Sequence, residues 1–308
     1  MKTTVIHHSA DFDGIFCREI ARKFLPDAEI IGWDFGDKPL AIPDEGQIYI
    51  LDLPVDRVFG DDFSGKATTK YFCHDDMLKR VIWIDHHKSS IESHPTNIAG
   101  YRIDGVAACR LAWQFFTGYP ACGDIACLPN KGHYVNRTVS EPQAVRLAGE
   151  YDIWDKRDTR AEVFQFGLRS CDLTDDWWAN LLGESSEVYC DTLLQRGELL
   201  QRYQQNQDAS VMSRSFMAEF EGLKFLALNT ARCNSLTFAA KDVPETGHDA
   251  LMGFYWTGTS WKVSLYHAKH RTDIDLSLIA VNWGGGGHRG ACGFEINSHD
   301  PQSFFPFA

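Results

Sequence analysis

The chain has no apolar run long enough to cross a bilayer, which excludes a membrane-spanning helix. Met1-Lys2 leads straight into a short strand-like run, so no signal peptide is read at this N-terminus. Nine cysteines are present without a single Cys-x-x-Cys pair, and the count is odd. Cys122 and Cys127 come nearest to metal spacing and are read as reduced thiols, which makes a cytoplasmic protein the natural expectation. Runs of Lys or Arg are also missing, and the net charge is -12. Gripping long duplex depends on releasing counterions through basic side chains, so only weak affinity for it is expected. A small phosphate substrate is not excluded, because clustered acids bind cations that then attract it. The chain also lacks internal repeats and low-complexity tracts.

Against these absences stand a hydrophobic content of 44% and a charged content of 23%, enough to bury a proper core. A length of 308 residues allows one large domain or two ordinary ones. The run Val81-Ile82-Trp83-Ile84 reads as a buried strand and stops abruptly in Asp85-His86-His87. Residues 3–7 form another strand, followed by His7-His8-Ser9-Ala10-Asp11-Phe12-Asp13-Gly14. Residues 47–51 form a third, ending in Asp52, and residues 30–33 a further one. Helices are expected over 15–24, 105–116 and 141–150, the last running into Tyr151-Asp152-Ile153-Trp154-Asp155. Strands alternating with helices predict a parallel sheet with helical crossovers. In such sheets ligands bind at the carboxyl ends of the strands.

Residues 61–70 read as a polar loop and residues 118–136 as turn-rich. The Trp177-Trp178 pair, on an expected helix, reads as core. Residues 185–220 read as long helical structure suited to connecting two domains. Beyond it the pattern changes to short strands over 223–228, 250–256 and 262–267, with Gly258 marking a turn. A short helix over 276–283 runs into Gly284-Gly285-Gly286-Gly287-His288-Arg289-Gly290, then a strand over 294–296. Glycines let backbone N–H groups turn toward an anion, and His288 and Arg289 add positive charge. No Gly-Lys-Ser/Thr follows, so this is not a P-loop. Nor does a helix N-terminus support it, because it follows a helix.

His7, Asp11, Asp13, Asp52, His86 and Asp152 suit two adjacent divalent cations that share a bridging carboxylate. Converging carboxylates would otherwise repel and raise one another's pKa values. Hard oxygen plus imidazole suits manganese well and admits zinc, cobalt or iron. A two-metal pair activates water and stabilises attacking and leaving oxygens in a phosphoryl displacement.

Taken in order, His7-x-x-x-Asp11-x-Asp13, Asp52, Asp85-His86-His87, an acid near Asp152 and the Gly284 to His288 run resemble the DHH superfamily of phosphoesterases. The resemblance is to the branch with a glycine-rich DHH-associated C-terminal domain, and it covers nearly the whole chain. That branch includes RecJ-like exonucleases, nanoRNases, and hydrolases of cyclic dinucleotides or 3′-phosphoadenosine phosphate. It implies one metal on His7, Asp11 and Asp52, and another on Asp13, Asp52, His86 and Asp152, most naturally Mn2+. It also implies that His87 lies beside the reacting phosphate and that Asp85 orients the histidines. Gly285, Gly286, Gly287 and His288 would grip a substrate phosphate. Two features depart from the branch. A second acid, Asp155, competes with Asp152 for the last ligand position, and Ser264-Leu265-Tyr266 stands where members often carry Ser-Leu-Arg. Arg271 is the nearby candidate for that missing arginine.

The expected architecture is a bilobed α/β protein. A catalytic domain would span 1–185, a helical connector 186–220 and a smaller substrate-binding α/β domain 221–308, with the active site in the cleft. The expected activity is hydrolysis of very short oligonucleotides to mononucleotides. The near alternative is a small-nucleotide phosphatase or cyclic-dinucleotide phosphodiesterase. Inorganic pyrophosphatase fits less well, and a catalytically silent nucleotide sensor is the alternative from another class. DNA against RNA, polarity and oligomeric state stay open, a homodimer included.

Overall fold

The computed structural model describes residues 2–59, 79–93, 98–118, 130–172, 174–231, 233–235, 237–239 and 247–297. The loop expected over 61–70 and the Cys122–Cys127 pair lie outside these residues. The chain divides into two compact units, Met1–Leu200 and Gln201–Ala308.

In the first unit, strands β1 (Thr3–His8), β2 (Glu29–Trp33), β3 (Gln47–Leu51) and β4 (Val81–Ile84) form a sheet in the order β2-β1-β3-β4. Every pairing is parallel, as the alternation of strand and helix predicted. The strands read as near-continuous apolar runs because both faces are buried. Val5, Leu51 and Ile84 pack toward one core, and Ile6, Ile48, Ile50 and Trp83 toward another.

The helices of this unit are α1 (Phe12–Phe24), α2 (Val55–Phe59), α3 (Lys88–Ser93), α4 (Ala108–Phe116), α5 (Lys131–Val135), α6 (Gln143–Asp152), α7 (Arg160–Leu168) and α8 (Asp175–Leu181). The long α9 (Ser186–Met212) runs on into the second unit. Phe16 and Ile20 of α1, Leu111 of α4, Leu147 of α6, Phe164 of α7 and Trp178 of α8 share the first core with Val5. Trp178 is therefore a packing residue, as expected.

The second unit is a six-stranded mixed sheet in the order β5-β6-β7-β8-β10-β9. Its strands are β5 (Phe216–Phe220), β6 (Leu223–Asn229), β7 (Ala250–Trp256), β8 (Ser260–His267), β9 (Gly286–His288) and β10 (Ala291–Asn297). Helix α10 (Leu276–Asn282) supplies Leu276 and Ala280 to its core. Among the described strands of this unit, only the β6–β7 pairing is parallel.

Two elements differ from expectation. The helical stretch read over 185–220 ends at Met212, and Phe216–Phe220 is a strand. Its burial alternates, with Ala218 buried between exposed Met217 and Glu219, which is a period of two and not 3.6. The glycine run, for which no strand was expected, contributes a short edge strand, β9, paired with β10.

Candidate metal centre

Parallel strands put their carboxyl ends on one edge, so the residues following β1, β3 and β4 meet there. The β1–β3 register pairs His7 with Leu51, so the next step sets His8 beside Asp52. His8 Nδ1 lies 3.1 Å from Asp11 Oδ2 and 3.5 Å from Asp52 Oδ2. Its other nitrogen, Nε2, lies 3.2 Å from Asp34 Oδ1. A ring held by a carboxylate through one N–H presents the second nitrogen's lone pair, the usual arrangement of a metal-binding histidine.

His7 is not in this group. Strand side chains alternate, so His7 shares its face with Val5, which packs against α1. It is buried, its Nδ1 meets the His8 carbonyl at 2.6 Å, and burial lowers its pKa to about 4. The structure thus corrects the histidine chosen on the four-residue spacing to Asp11. The period-two alternation of β1 puts the two neighbours on opposite faces, and the pairing with β3 selects His8. Asp34, which holds His8 in place, was not anticipated at all.

Asp52 sits just past β3 with a left-handed φ of 61° and donates its N–H to the Ile84 carbonyl at 2.9 Å. Asp tolerates this region better than most residues, and such conformations cluster at functional sites. Its Oδ1 lies 3.3 Å from His86 Nε2, while Oδ2 faces His8, so one carboxylate looks both ways. Asp85 is fully buried, and its Oδ1 accepts from the His86 N–H at 2.7 Å, the His87 N–H at 3.2 Å and His87 Nδ1 at 2.7 Å. It therefore shapes the turn after β4 and fixes the tautomer of His87 by one short hydrogen bond. That bond, opposed by burial, raises the His87 pKa.

Asp11 is the N-cap of α1, accepting from the Gly14 N–H at 3.0 Å. Asp13 is buried and accepts from the backbone N–H groups of Ala108 and Cys109, both at 2.8 Å. It caps α4, a helix with no side-chain cap of its own, and so ties the first motif to a helix distant in sequence. Gly14 is required by close approach, since a Cβ there would stand 2.1 Å from the His8 carbonyl oxygen. At the end of α6, Asp152 Oδ2 lies 3.4 Å from His86 Nε2, and Asp13 Oδ2 lies 3.7 Å from the same atom. Asp155 instead pairs with Arg157, so Asp152 is the acid that joins the group.

Among the described residues three overlapping sets bring ligand atoms within 4.8 Å of one another. They are His8, Asp11 and Asp52; Asp13, His86 and Asp152; and Asp52, His86 and His87. His8 Nδ1, Asp52 Oδ1 and Asp152 Oδ2 are buried and make no hydrogen bond among these residues, although charged atoms stand close by. Buried polar atoms are normally satisfied, and orphans aimed at a shared point suit a cation. The donor set of hard oxygens and imidazoles fits a divalent ion.

The charges tell the same story. Burial and the Asp52 charge push Asp13 up to about 7, and burial and Asp13 push Asp152 up to about 8. Burial opposes charge on Asp52, yet His8 and His86 outweigh it and hold the carboxyl at about 2. The two histidines are likewise penalised by burial, but Asp11 and Asp52 raise His8 to about 11, and Asp52 with Asp13 raises His86 to about 10. These are the directions expected of carboxylates and imidazoles crowded together with no cation among them. Cys17 and Cys109 are buried, and burial pushes both thiols up, so neither is a thiolate ligand.

In the second unit, Gly286 and His288 are exposed on the edge strand. The Gly284 and Gly285 N–H groups donate to Val281 and Ala280 carbonyls at the end of α10, so neither is free to face an anion. A Cβ at Gly285 would stand 2.1 Å from the Gly293 carbonyl oxygen, so packing against β10 also demands glycine here. Arg271 spends its guanidinium on Asp249 and Asp273. A substrate would have to displace them to reach it.

No family model and no curated protein matches the sequence. Solved structures do. A pGpG-specific phosphodiesterase from Vibrio cholerae is 15% identical, with 98% of this chain and 95% of that chain covered at a TM-score of 0.50. A DHH domain of a protein described as belonging to a family of ribosomal proteins is 12% identical, with 97% and 83% covered, also at 0.50. The exonuclease RecJ bound to manganese is 14% identical, with 96% and 86% covered, at a TM-score of 0.46. At these identities the likeness is one of fold.

Proposed function

Proceeding from a chain that has the fold of the DHH-domain proteins, we propose that it is a metal-dependent phosphoesterase that cleaves very short oligonucleotides to mononucleotides. The observation that carries this reading is the convergence of Asp11, Asp13, Asp52 and Asp152 on His8 and His86, with three ligand atoms buried and unbonded. His8, Asp11 and Asp52 would hold one divalent cation, and Asp13, His86 and Asp152 the other, with Asp52 as the bridge. Two such cations supply a water of lowered pKa and neutralise the charge of a phosphate in displacement.

The chain's own groups do the rest. Asp34 and Asp85 fix the rings of His8 and His87, so that little reorganisation is left for the reaction. His87, protonated more readily through Asp85, would give its Nε2 proton to the leaving oxygen as the P–O bond breaks. Gly286, Gly287 and His288 remain the proposed contacts for a substrate phosphate, through the exposed side of β9. The likeness of fold to a phosphodiesterase named for a dinucleotide supports a short substrate. A small-nucleotide phosphatase or cyclic-dinucleotide phosphodiesterase would use the same centre.

The test is a substrate panel with added manganese. It contains short RNA and DNA oligonucleotides, cyclic dinucleotides, 3′-phosphoadenosine phosphate and pyrophosphate. Fastest turnover of a short linear oligonucleotide supports the proposal. Turnover of pyrophosphate alone, or of nothing, would overturn it.

A further inference from the structure

Trp154 breaks two local rules at once. It has a left-handed φ of 56° just past the C-terminus of α6. The surrounding bonds run from the Ile153 N–H to Gly149, from Trp154 to Tyr151 and from Asp155 to Glu150, which is the closure that normally places glycine at this position. A bulky residue here is strained, yet Trp154 is 52% exposed, so burial does not compensate. A residue that is unfavourable both in backbone and in solvation points to a use outside folding.

The neighbours indicate which use. The indole stacks on Tyr151, with ring centroids 6.1 Å apart and planes 26° apart. Arg169 lies 5.8 Å over the Tyr151 ring and 5.9 Å over Phe12. Lys156 Nζ stands 4.2 Å from the centre of the indole. The strip therefore runs from Phe12, between Asp11 and Asp13, to Trp154, two residues beyond Asp152. Two residues span at most about 7 Å, so the backbone that carries the indole lies close to Asp152, one of the acids of the candidate metal centre. In a chain of net charge -12, aromatic rings interleaved with exposed Arg and Lys are the combination that binds a nucleotide's base and phosphate together.

We propose that Trp154, backed by Tyr151, is a stacking platform for a nucleobase of the substrate, so that the centre takes base-bearing phosphoesters in preference to simple ones. This rests on the phosphoesterase reading only in placing the substrate phosphate at the metal centre. Lys156, on a flexible stem, yields the ring face to the base and stays within reach of the ligand's phosphate. Recognition by stacking is tolerant of base identity, since every base has a π-face.

The test compares binding of adenosine 5′-monophosphate and ribose 5-phosphate by titration calorimetry with manganese present, in wild type, Trp154→Phe and Trp154→Gly. Wild type should prefer the nucleotide by about tenfold to a hundredfold, the worth of one aromatic–base stack. Trp154→Phe should keep much of that preference, and Trp154→Gly should bring it within about twofold of none. Trp154→Gly should also raise the melting temperature by about 2–4 °C, because glycine relieves the left-handed strain. A wild type without preference, a preference that survives in Trp154→Gly, or a fall in melting temperature would each overturn the platform. Hydrolysis of oligonucleotides without a nucleotide preference sinks this inference and leaves the hydrolase standing. A Trp154-dependent preference without hydrolysis of any phosphoester does the reverse.

Discussion

Which of two adjacent histidines meets a cation is decided by the face each occupies. His8→Ala should lose a manganese ion by metal analysis, whereas His7→Ala should keep the full complement; the opposite result would return His7 to the ligand set. Asp52 faces both halves of the centre, so Asp52→Asn should reduce bound manganese more than Asp11→Asn does. For His87 the expected result is different. Loss of a positioned proton donor costs about 10²–10⁴-fold in rate, so His87→Ala should lower kcat by that much with metal content near normal. A lost cation in that variant would make His87 a ligand.

The same side chains set the pH dependence of metal uptake. Cations bind the deprotonated ligands, so every proton held by the free site must leave first. Asp13 at about 7, Asp152 at about 8, His86 at about 10 and His8 at about 11 all hold protons at pH 6. Manganese affinity should therefore rise steadily as pH increases from 6 to about 9, with release of protons on binding. Titrations in buffers of different ionisation enthalpy measure that release. A flat affinity over this range would mean that the free site is already deprotonated.

Elements enter the centre through their ends. Helix α1 begins at Asp11, α4 is capped by Asp13 and α6 finishes at Asp152, so a small shift of any helix moves a ligand. Gly14→Ala would force its Cβ against the His8 carbonyl and lift α1 from β1. Overpacking of this kind costs about 1–3 kcal/mol, and the variant should lose manganese before it unfolds. A second junction fixes α4 to the chain entering α6. There Arg110 and Glu141, both almost wholly buried, form a close ion pair. Removing one partner strands a buried charge, so Glu141→Gln should cost about 3–5 kcal/mol in urea unfolding. The double variant Arg110→Met/Glu141→Leu should recover most of it, and a cost that stayed in the double variant would show packing, not charge, to be the issue.

At the scale of the whole molecule, net charge and metal are coupled. A site with four carboxylates in a chain of net charge -12 is stabilised by any cation that fills it. Manganese at about a hundred times its Kd should add about 2.7 kcal/mol per site, seen as a higher Tm that chelator reverses. Under the proposed function, a net charge of -12 should also limit substrate length. Activity should be highest on about two to five nucleotides and fall on strands of about twenty, where added phosphates meet like charge and release few counterions. Equal or better kcat/KM on the long strand would indicate a processive exonuclease.

The sequence by itself determined the four strands of the first unit, their parallel pairing and the acids that follow β3 and β4. Those signals are local. An apolar β-branched run ending in Asp52 or in Asp85-His86-His87 declares both the strand and its polar tip, and parallel pairing sends such tips to one edge. Asp152 was legible only as one of two acids, because a helix end presents several residues and only packing chooses among them. Arg157 takes Asp155, and His86 receives Asp152. Tertiary structure also decided between His7 and His8, since the choice follows from the β1–β3 register, which pairs residues far apart in the chain. It placed Asp34 behind His8 and Asp13 at the head of α4 through contacts spanning 26 and 95 residues. It turned part of the glycine run into an edge strand and spent the Gly284 and Gly285 donors on α10. Periodicity reports which residues can share a face; which faces then meet is settled by packing.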